Sequence, residues 1–376
     1  MRLRSHMMFH WSRLDWSFPN LRMKEEFEAH QYWKNAILVG VKVDQQGHYY
    51  VCIPRLAPGI PATMNRIVIQ DGPPLLEAFP SWEWNEAGNV RAMRSIQGYE
   101  IDELNRIWLL DQGKIAYAPS PEGSQKLLVW DLNTHRMIDV IPIPNEIASY
   151  RTSFLNDLVV DNKNGFVYIT DSGNGWPDHP VAGGIIVYNM RTRSLRRVLD
   201  RQFSTQDLPG FHFAIDNKPV LNRAGVDGIA LSADRSTLYY CPLTGRNLYA
   251  INTSVLMDFQ APSEKIHRAV QAIGSKRTTT DGMHADAQGN VFYTMLEGKG
   301  IGMYSPYSET FHDLVSDDRM VWVDGIAFDQ QGSILFNSNR LHEITGGYDI
   351  DWTYPYNFVI WKAFAGQGVK SYLYAQ

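Results

Sequence analysis

In five segments of this chain an acidic or carboxamide side chain stands just ahead of a short apolar alternation: Glu103, Asn156 with Asp157, Asp227, Asp281 and Asp324. If these groups converge, their mutual repulsion must be relieved by protonation, by a cation or by a cationic ligand. A hard divalent ion with oxygen ligands, Ca2+ or Mg2+, is the simplest candidate cofactor. The plainer alternative is that each Asp caps its own strand by accepting backbone N–H bonds. His284 lies two residues after Gly282 in "DGMHADAQGN", at a position filled by Ala230 and Ala327 in the related "DGIA" segments. A titratable ring replacing a small apolar residue there is a candidate general acid or base, or else a hydrogen-bonded core histidine.

Lys299, Glu297 and Arg340 follow on the outgoing sides of the last two segments and are candidates for the same mouth, with solvated surface charge as the default for each. A tautomerase needs a base to take a proton from carbon and an acid or cation to stabilise the enolate. His284 or Asp281 is assigned the first role and Lys299 or Arg340 the second, while Glu103, Asp227, Asp324 and Asn339 are assigned to ligand binding. No Gly-x-Ser-x-Gly elbow, His-Glu-x-x-His helix, Walker loop or dinucleotide fingerprint occurs. The lone Gly-x-Gly in "GKGIG" lacks a strand-to-helix setting.

The elements that must hold these groups are repeated. A strand, a polar turn and a second strand can be read six times: from Val39, Ile101, Leu155, Val226, Thr280 and Val323. The turns Asp44-Gln-Gln-Gly47, Asp286-Ala-Gln-Gly289 and Asp329-Gln-Gln-Gly332 place Asp where its side chain can bond to backbone and Gly where φ must be positive. Their flanks alternate and are rich in Val, Ile, Tyr and Phe, as half-buried strands are. The spacing suits four strands plus a connection per unit, which predicts an all-β, single six-bladed β-propeller with a central channel over residues 31–376, after an N-terminal segment 1–30. An ordinary β-sandwich gives no reason for hairpins to share an acidic residue, whereas inner propeller strands all face one channel. Two helical stretches, "EEFEAHQYWKNA" and "SEKIHRAVQAI" with Ser263 as N-cap, are placed on connections. "APGIPATMNR" and "DSGNGWPDHPVAGG" read as long loops.

With 44% hydrophobic and 12% aromatic residues in 376, the chain can bury a large core. A formal charge of -5 argues against nucleic acid as a partner, since that task needs a surplus of Lys and Arg. The longest apolar runs fall far short of the roughly 20 residues that cross a bilayer, so neither is a membrane partner expected. The N-terminus has two arginines but no apolar h-region, which predicts a cytoplasmic protein. "RSHM" resembles a cloning remnant, so secretion stays open if a leader was replaced. The two cysteines, Cys52 and Cys241, fall in separate strands and are expected as buried thiols.

Taken together, "IPATMNRI", "FPSWEWN", "YEIDELNRIWLLDQGKI", "FLNDLVVDNKNGFVYITDSG", "GIALSADRSTLYYCPLTGRNLYAI" and "DGIAFDQQGSILFNSNRLHEI" resemble the royal jelly protein/yellow family, from about residue 30 to about residue 345. The resemblance implies a six-bladed propeller with a small-molecule site in its channel. Some members look like binders of biogenic amines, some are linked to dopachrome conversion, the bee proteins are largely nutritional, and bacterial members are commonly labelled dopachrome tautomerase-related. This sequence departs from the insect pattern in three ways. It lacks the Cys that the family has at Leu104 and another near "AGNVRAM", and losing both members of the implied disulfide fits a reducing compartment or a microbial origin. The family's ligand-contacting Asn falls on Lys299, and a cation there favours an anionic or carboxylate-bearing aromatic over an amine. "LNDLVVD" and "TDGMHADAQGN" are also similar to the gluconolactonase/senescence marker propellers, whose metal-binding Asn and Asp fall on Asn156 and Asp281.

Three functions are therefore carried forward: an isomerase or tautomerase of an aromatic or quinonoid metabolite, a metal-dependent lactonase, and a non-catalytic binder of aromatic small molecules.

Overall fold

The computed structural model describes residues 2–69, 72–173 and 181–375. Six four-stranded antiparallel sheets stand around a common axis. Blade 1 comprises Val39–Val43, Tyr49–Cys52, Met64–Val68 and Leu75–Ala78, counted from the axis outward. Blade 2 comprises Ile96–Ile101, Arg106–Asp111, Lys126–Asp131 and Arg136–Pro142. Blade 3 comprises Leu155–Asp161, Phe166–Asp171, Gly184–Asn189 and Ser194–Val198. Blade 4 has Val226–Leu231, Thr237–Pro242, Asn247–Asn252 and Gln271–Ser275. Blade 5 has Met283–Ala285, Val291–Met295, Gly300–Ser305 and Thr310–Ser316. Blade 6 has Trp322–Phe328, Ser333–Asn339, Phe358–Phe364 and, outermost, Ser5–Trp11.

The N-terminus is thus the last strand of the last blade, paired antiparallel from Ser5 opposite Ala363 to Trp11 opposite Phe358. The expected separation of residues 1–30 from the propeller is corrected accordingly. Pairing the two chain ends in one sheet covers an edge that would otherwise be left open. The second predicted helix is shorter than read: it spans Ser263–Arg268, with Pro262 at the N-cap and no side-chain cap bond. The alternation in "QAIGS" makes the outer strand of blade 4 instead. The first runs Leu21–Ala29 and is capped by Asn20, whose side chain accepts from the Met23 amide. Within the predicted loop "DSGNGWPDHPVAGG", residues 174–180 lie outside the described residues.

Turn chemistry follows the Asp-x-x-Gly pattern. Asp44 Oδ1 accepts from the amides of Gln46 and His48, Asp286 from Gln288 and Asn290, and Asp329 from Gln331 and Ser333. The glycines that close these turns have φ of +86°, +92° and +88°. The second glycine class works differently. A Cβ on Gly98 would lie 2.3 Å from the Asn156 carbonyl oxygen, on Gly228 2.7 Å from that of Asp281, and on Gly282 2.3 Å from that of Asp324. These glycines let neighbouring inner strands approach backbone to backbone, drawing the ring tight enough for the preceding side chains to meet.

Candidate functional site

Five of the inner strands carry a bulge at this level: between Val39 and Lys42, Ile96 and Gly98, Leu155 and Leu158, Val226 and Ile229, and Val323 and Ile326. A bulge breaks the two-residue alternation and re-aims a side chain. At one mouth of the channel the result is a cavity of about 490 Å3, with Asn156, Asp227, Asp281 and Gln97 among its polar lining and Phe154, Trp322, Leu243 and Leu341 among its apolar walls. Beneath it lies a smaller space of about 40 Å3 bounded by Asp157, Asp227, Asp281, Asp324 and Lys42.

Asp281 Oδ2 accepts from the Trp322 indole N–H at 2.6 Å, and the carboxyl is also hydrogen-bonded to Asp227. Burial pushes Asp281 up to about 6, against the lowering effect of those two bonds. Asp227 is driven well above the ordinary carboxylate range by burial and then by the charge of Asp281. Burial and mutual repulsion thus favour one proton on this hydrogen-bonded pair over two ionised carboxylates. Asp324 is pushed up by burial and by Asp281, although Asn339 Nδ2 donates to its Oδ2 at 2.8 Å. Asp157 rises to about 7 through burial, moderated by Lys42. Asp157 and Asp281 keep part of their surface open to the channel while lying deep below the outer surface.

The structure thus brings together Asn156, Asp157, Asp227, Asp281 and Asp324. It does not bring the other candidates to them. Glu103 belongs to the blade 2 hairpin turn, where its carboxylate accepts from Asn162 Nδ2 at 3.0 Å, at the far end of the strand from the mouth. The blade 2 counterpart of the acidic positions is Gln97. "YEIDELNRIW" invites alignment on "IDEL", but Asp102 makes the turn, accepting from the amides of Leu104 and Arg106, and the pattern "QG" one strand earlier is the matching signal.

Lys299 is ion-paired to Asp216 and donates to the Asp318 carbonyl at 3.3 Å, outside the cavity lining. The inference drawn from it against amines is corrected by that placement. Arg340 pairs with Glu343 at 3.3 Å and stacks over Tyr354, also outside the lining, and Glu297 pairs with Arg246. Asn339 is buried, holding Asp324 and donating to the Leu38 carbonyl at 2.8 Å, so it positions an acid rather than meeting a ligand. His284 lies lower in the channel, 2.9 Å from Ser371 Oγ and 3.6 Å from Glu100 Oε2, so it does not share the mouth with Asp281. Unanticipated are Trp322, which holds Asp281, and Arg223, which lines the cavity and pairs with Asp207. A core tryptophan and a loop arginine carry no periodic signal.

Asn156 and Asp281, the residues expected to hold a metal by likeness to the lactonase-like propellers, both carry hydrogen bonds within the protein. Asp281 is committed to Trp322 and Asp227, Asn156 Nδ2 donates to Ser172 Oγ at 2.9 Å, and among the described residues no group of three His, Cys, Asp or Glu side chains is arranged to hold an ion.

The family model for major royal jelly protein matches residues 94–370. This chain belongs to the major royal jelly protein family. Family relatives include protein yellow of Drosophila melanogaster, 27% identical over 89% of this chain and 64% of its own length, and major royal jelly protein 8 of Apis mellifera, 27% identical over 90% of this chain and 78% of its own. The chain therefore spans under two thirds of the length of yellow. Among solved structures, a luciferin-regenerating enzyme superposes with a TM-score of 0.54 at 13% identity, covering 89% of this chain and 93% of its own. A gluconolactonase from Xanthomonas campestris gives 0.52 at 12% identity, covering 87% and 86%. At such identities these two likenesses establish the propeller fold alone. No helix among the described residues is long and apolar enough to cross a membrane.

Proposed function

We propose that the mouth cavity binds a small, partly aromatic molecule and moves a proton within it, as an isomerase or tautomerase does. The observation that carries this reading is the hydrogen-bonded pair Asp227–Asp281 on the cavity lining, one carboxyl poised near neutral pH and the other kept protonated. An ionised Asp281 takes a proton from carbon, and the Asp227 hydroxyl, released from Asp281 once that carboxyl is protonated, hydrogen-bonds the developing enolate oxygen while keeping its own proton. Returning the first proton to a different atom of the substrate completes the tautomerisation with no net change in charge. Paired groups of this kind contribute about 10²–10⁴-fold each. Tyr117 and Phe154, stacked at 6.3 Å on the cavity lining, suit a flat ring.

The test is turnover of a panel of enolisable aromatic and quinonoid compounds, followed by absorbance, with Asp281→Asn as the control. Turnover that survives in Asp281→Asn defeats the reading. A second reading, plain capture of an aromatic ammonium ion, is favoured by the Asp281 carboxyl on the cavity lining, with Lys299 withdrawn to Asp216. Thermal shift separates the two: an aromatic amine that raises the melting temperature without being converted supports capture.

A further inference from the structure

The channel continues below the carboxyls. Lys42 bounds the 40 Å3 space under the floor and also a third space of about 20 Å3, whose other walls include Glu100, His284, Ser371, Gln330 and Tyr374. Each space is polar and large enough for at least one water, which needs roughly 10–15 Å3. Two of the contacts between them are direct hydrogen bonds, and the gap between Glu100 and His284 is one that an enclosed water would bridge. Lys42 Nζ donates to Glu100 Oε2 at 2.8 Å, that oxygen lies 3.6 Å from His284 Nδ1, and His284 Nε2 is 2.9 Å from Ser371 Oγ. Past Ser371 the side chain of Tyr374 meets Gln45 and Gln330, both exposed on the face opposite the mouth.

We propose that this column of side chains and enclosed waters is a proton conduit, linking the carboxyls of the floor to solvent on the opposite face of the propeller. It rests on the proton-transfer reading only in that the reading supplies a use for the protons. A neutral imidazole suits the middle position because one ring nitrogen accepts while the other donates. Burial and the nearby Lys42 charge hold His284 well below its usual range, and therefore neutral. The charged and titratable groups around it are Lys42, Glu100 and Tyr372, the last packed edge-on at 5.4 Å. With a ligand in the mouth cavity, the lower path is the one left open for the floor carboxyls to regain or lose a proton.

The experiment is infrared spectroscopy of the protonated-carboxyl C=O band, timed after transfer of the folded protein from H2O to D2O at pH 6, with the mouth filled by a saturating concentration of the aromatic compound that most raises the melting temperature, because Asp227 and Asp281 line that cavity and exchange through it when it is empty. In the parent the band shifts rapidly. In His284→Phe, which fills the column with an apolar ring, the shift is expected to slow by about tenfold or more. Ser371→Val, in the C-terminal segment, serves as the second variant should His284→Phe fail to fold. An unchanged exchange rate in a folded variant, or the absence of any protonated-carboxyl band in the parent, would overturn the conduit. Slowed exchange in a protein that converts no compound would leave the conduit standing and sink the tautomerase reading.

Discussion

At the scale of single residues the molecule turns on how burial sets protonation. Asp281→Asn keeps the shape of the side chain and can still accept from Trp322, but removes the base, so turnover of a confirmed substrate should fall by about 10²-fold or more with little change in melting temperature. Asp157 offers a test that needs no substrate. Its folded pKa, about 7, lies above the ordinary value of 3.8, so between these limits the folded chain binds more protons than the unfolded one and stability falls as pH rises. Asp157→Asn lacks that loss. Its melting temperature relative to the parent should therefore climb by a few degrees from pH 4 to pH 8, and a flat difference would place Asp157 in ordinary solvent. The comparison with the parent matters because buried His284 and His342, held low, act in the opposite sense over part of this window. Lys299→Ala should leave the preference between aromatic amines and aromatic acids unchanged in thermal shift, since its charge is spent on Asp216.

The elements show two uses of glycine that a sequence writes with one letter. Gly289 closes a hairpin at φ +92° with open space around it, whereas Gly282 has an ordinary backbone and no room. Gly289→Ala should cost about 1–2 kcal/mol, the usual penalty for forcing a side chain into the left-handed region. Gly282→Ala sets a Cβ against the fixed carbonyl of Asp324 and should cost at least as much, about 1–3 kcal/mol, while also pushing blades 5 and 6 apart at the floor. Thermal unfolding ranks the pair, and Gly282→Ala alone should also disturb ligand binding. The hairpins were legible because Asp-x-x-Gly turns and period-two flanks are local. The packing glycines were not, because what they touch belongs to the next blade.

For the molecule as a whole, closure is the controlling event. Ser5–Trp11 completes blade 6 against Phe358–Phe364, bringing together segments from opposite ends of the chain. Deleting residues 1–12 uncovers a full strand edge, so the shortened protein should melt several degrees lower and aggregate more readily on heating; unchanged melting would mean that the edge strand is dispensable. Closure also explains why sequence separation is a poor guide to the site. Its floor takes one or two residues from each of several blades, and its wall draws on a loop arginine, Arg223, that no blade pattern predicts.

By itself, the sequence determined the blade count, the hairpin turns, the family and four of the converging acids, because each is written in a local, repeated pattern whose physics is that of a strand and its turn. It misplaced Glu103 by one strand, since "IDEL" and "QG" both look like strand starts until register is known. It grouped His284, Lys299 and Arg340 with Asp281, since distance along a channel and pairing across a rim leave no mark in the order of residues. Only the closed ring decided that Asp227 and Asp281 meet beside a cavity while His284 lies below them, because burial and approach are properties of six blades packed together and not of any one.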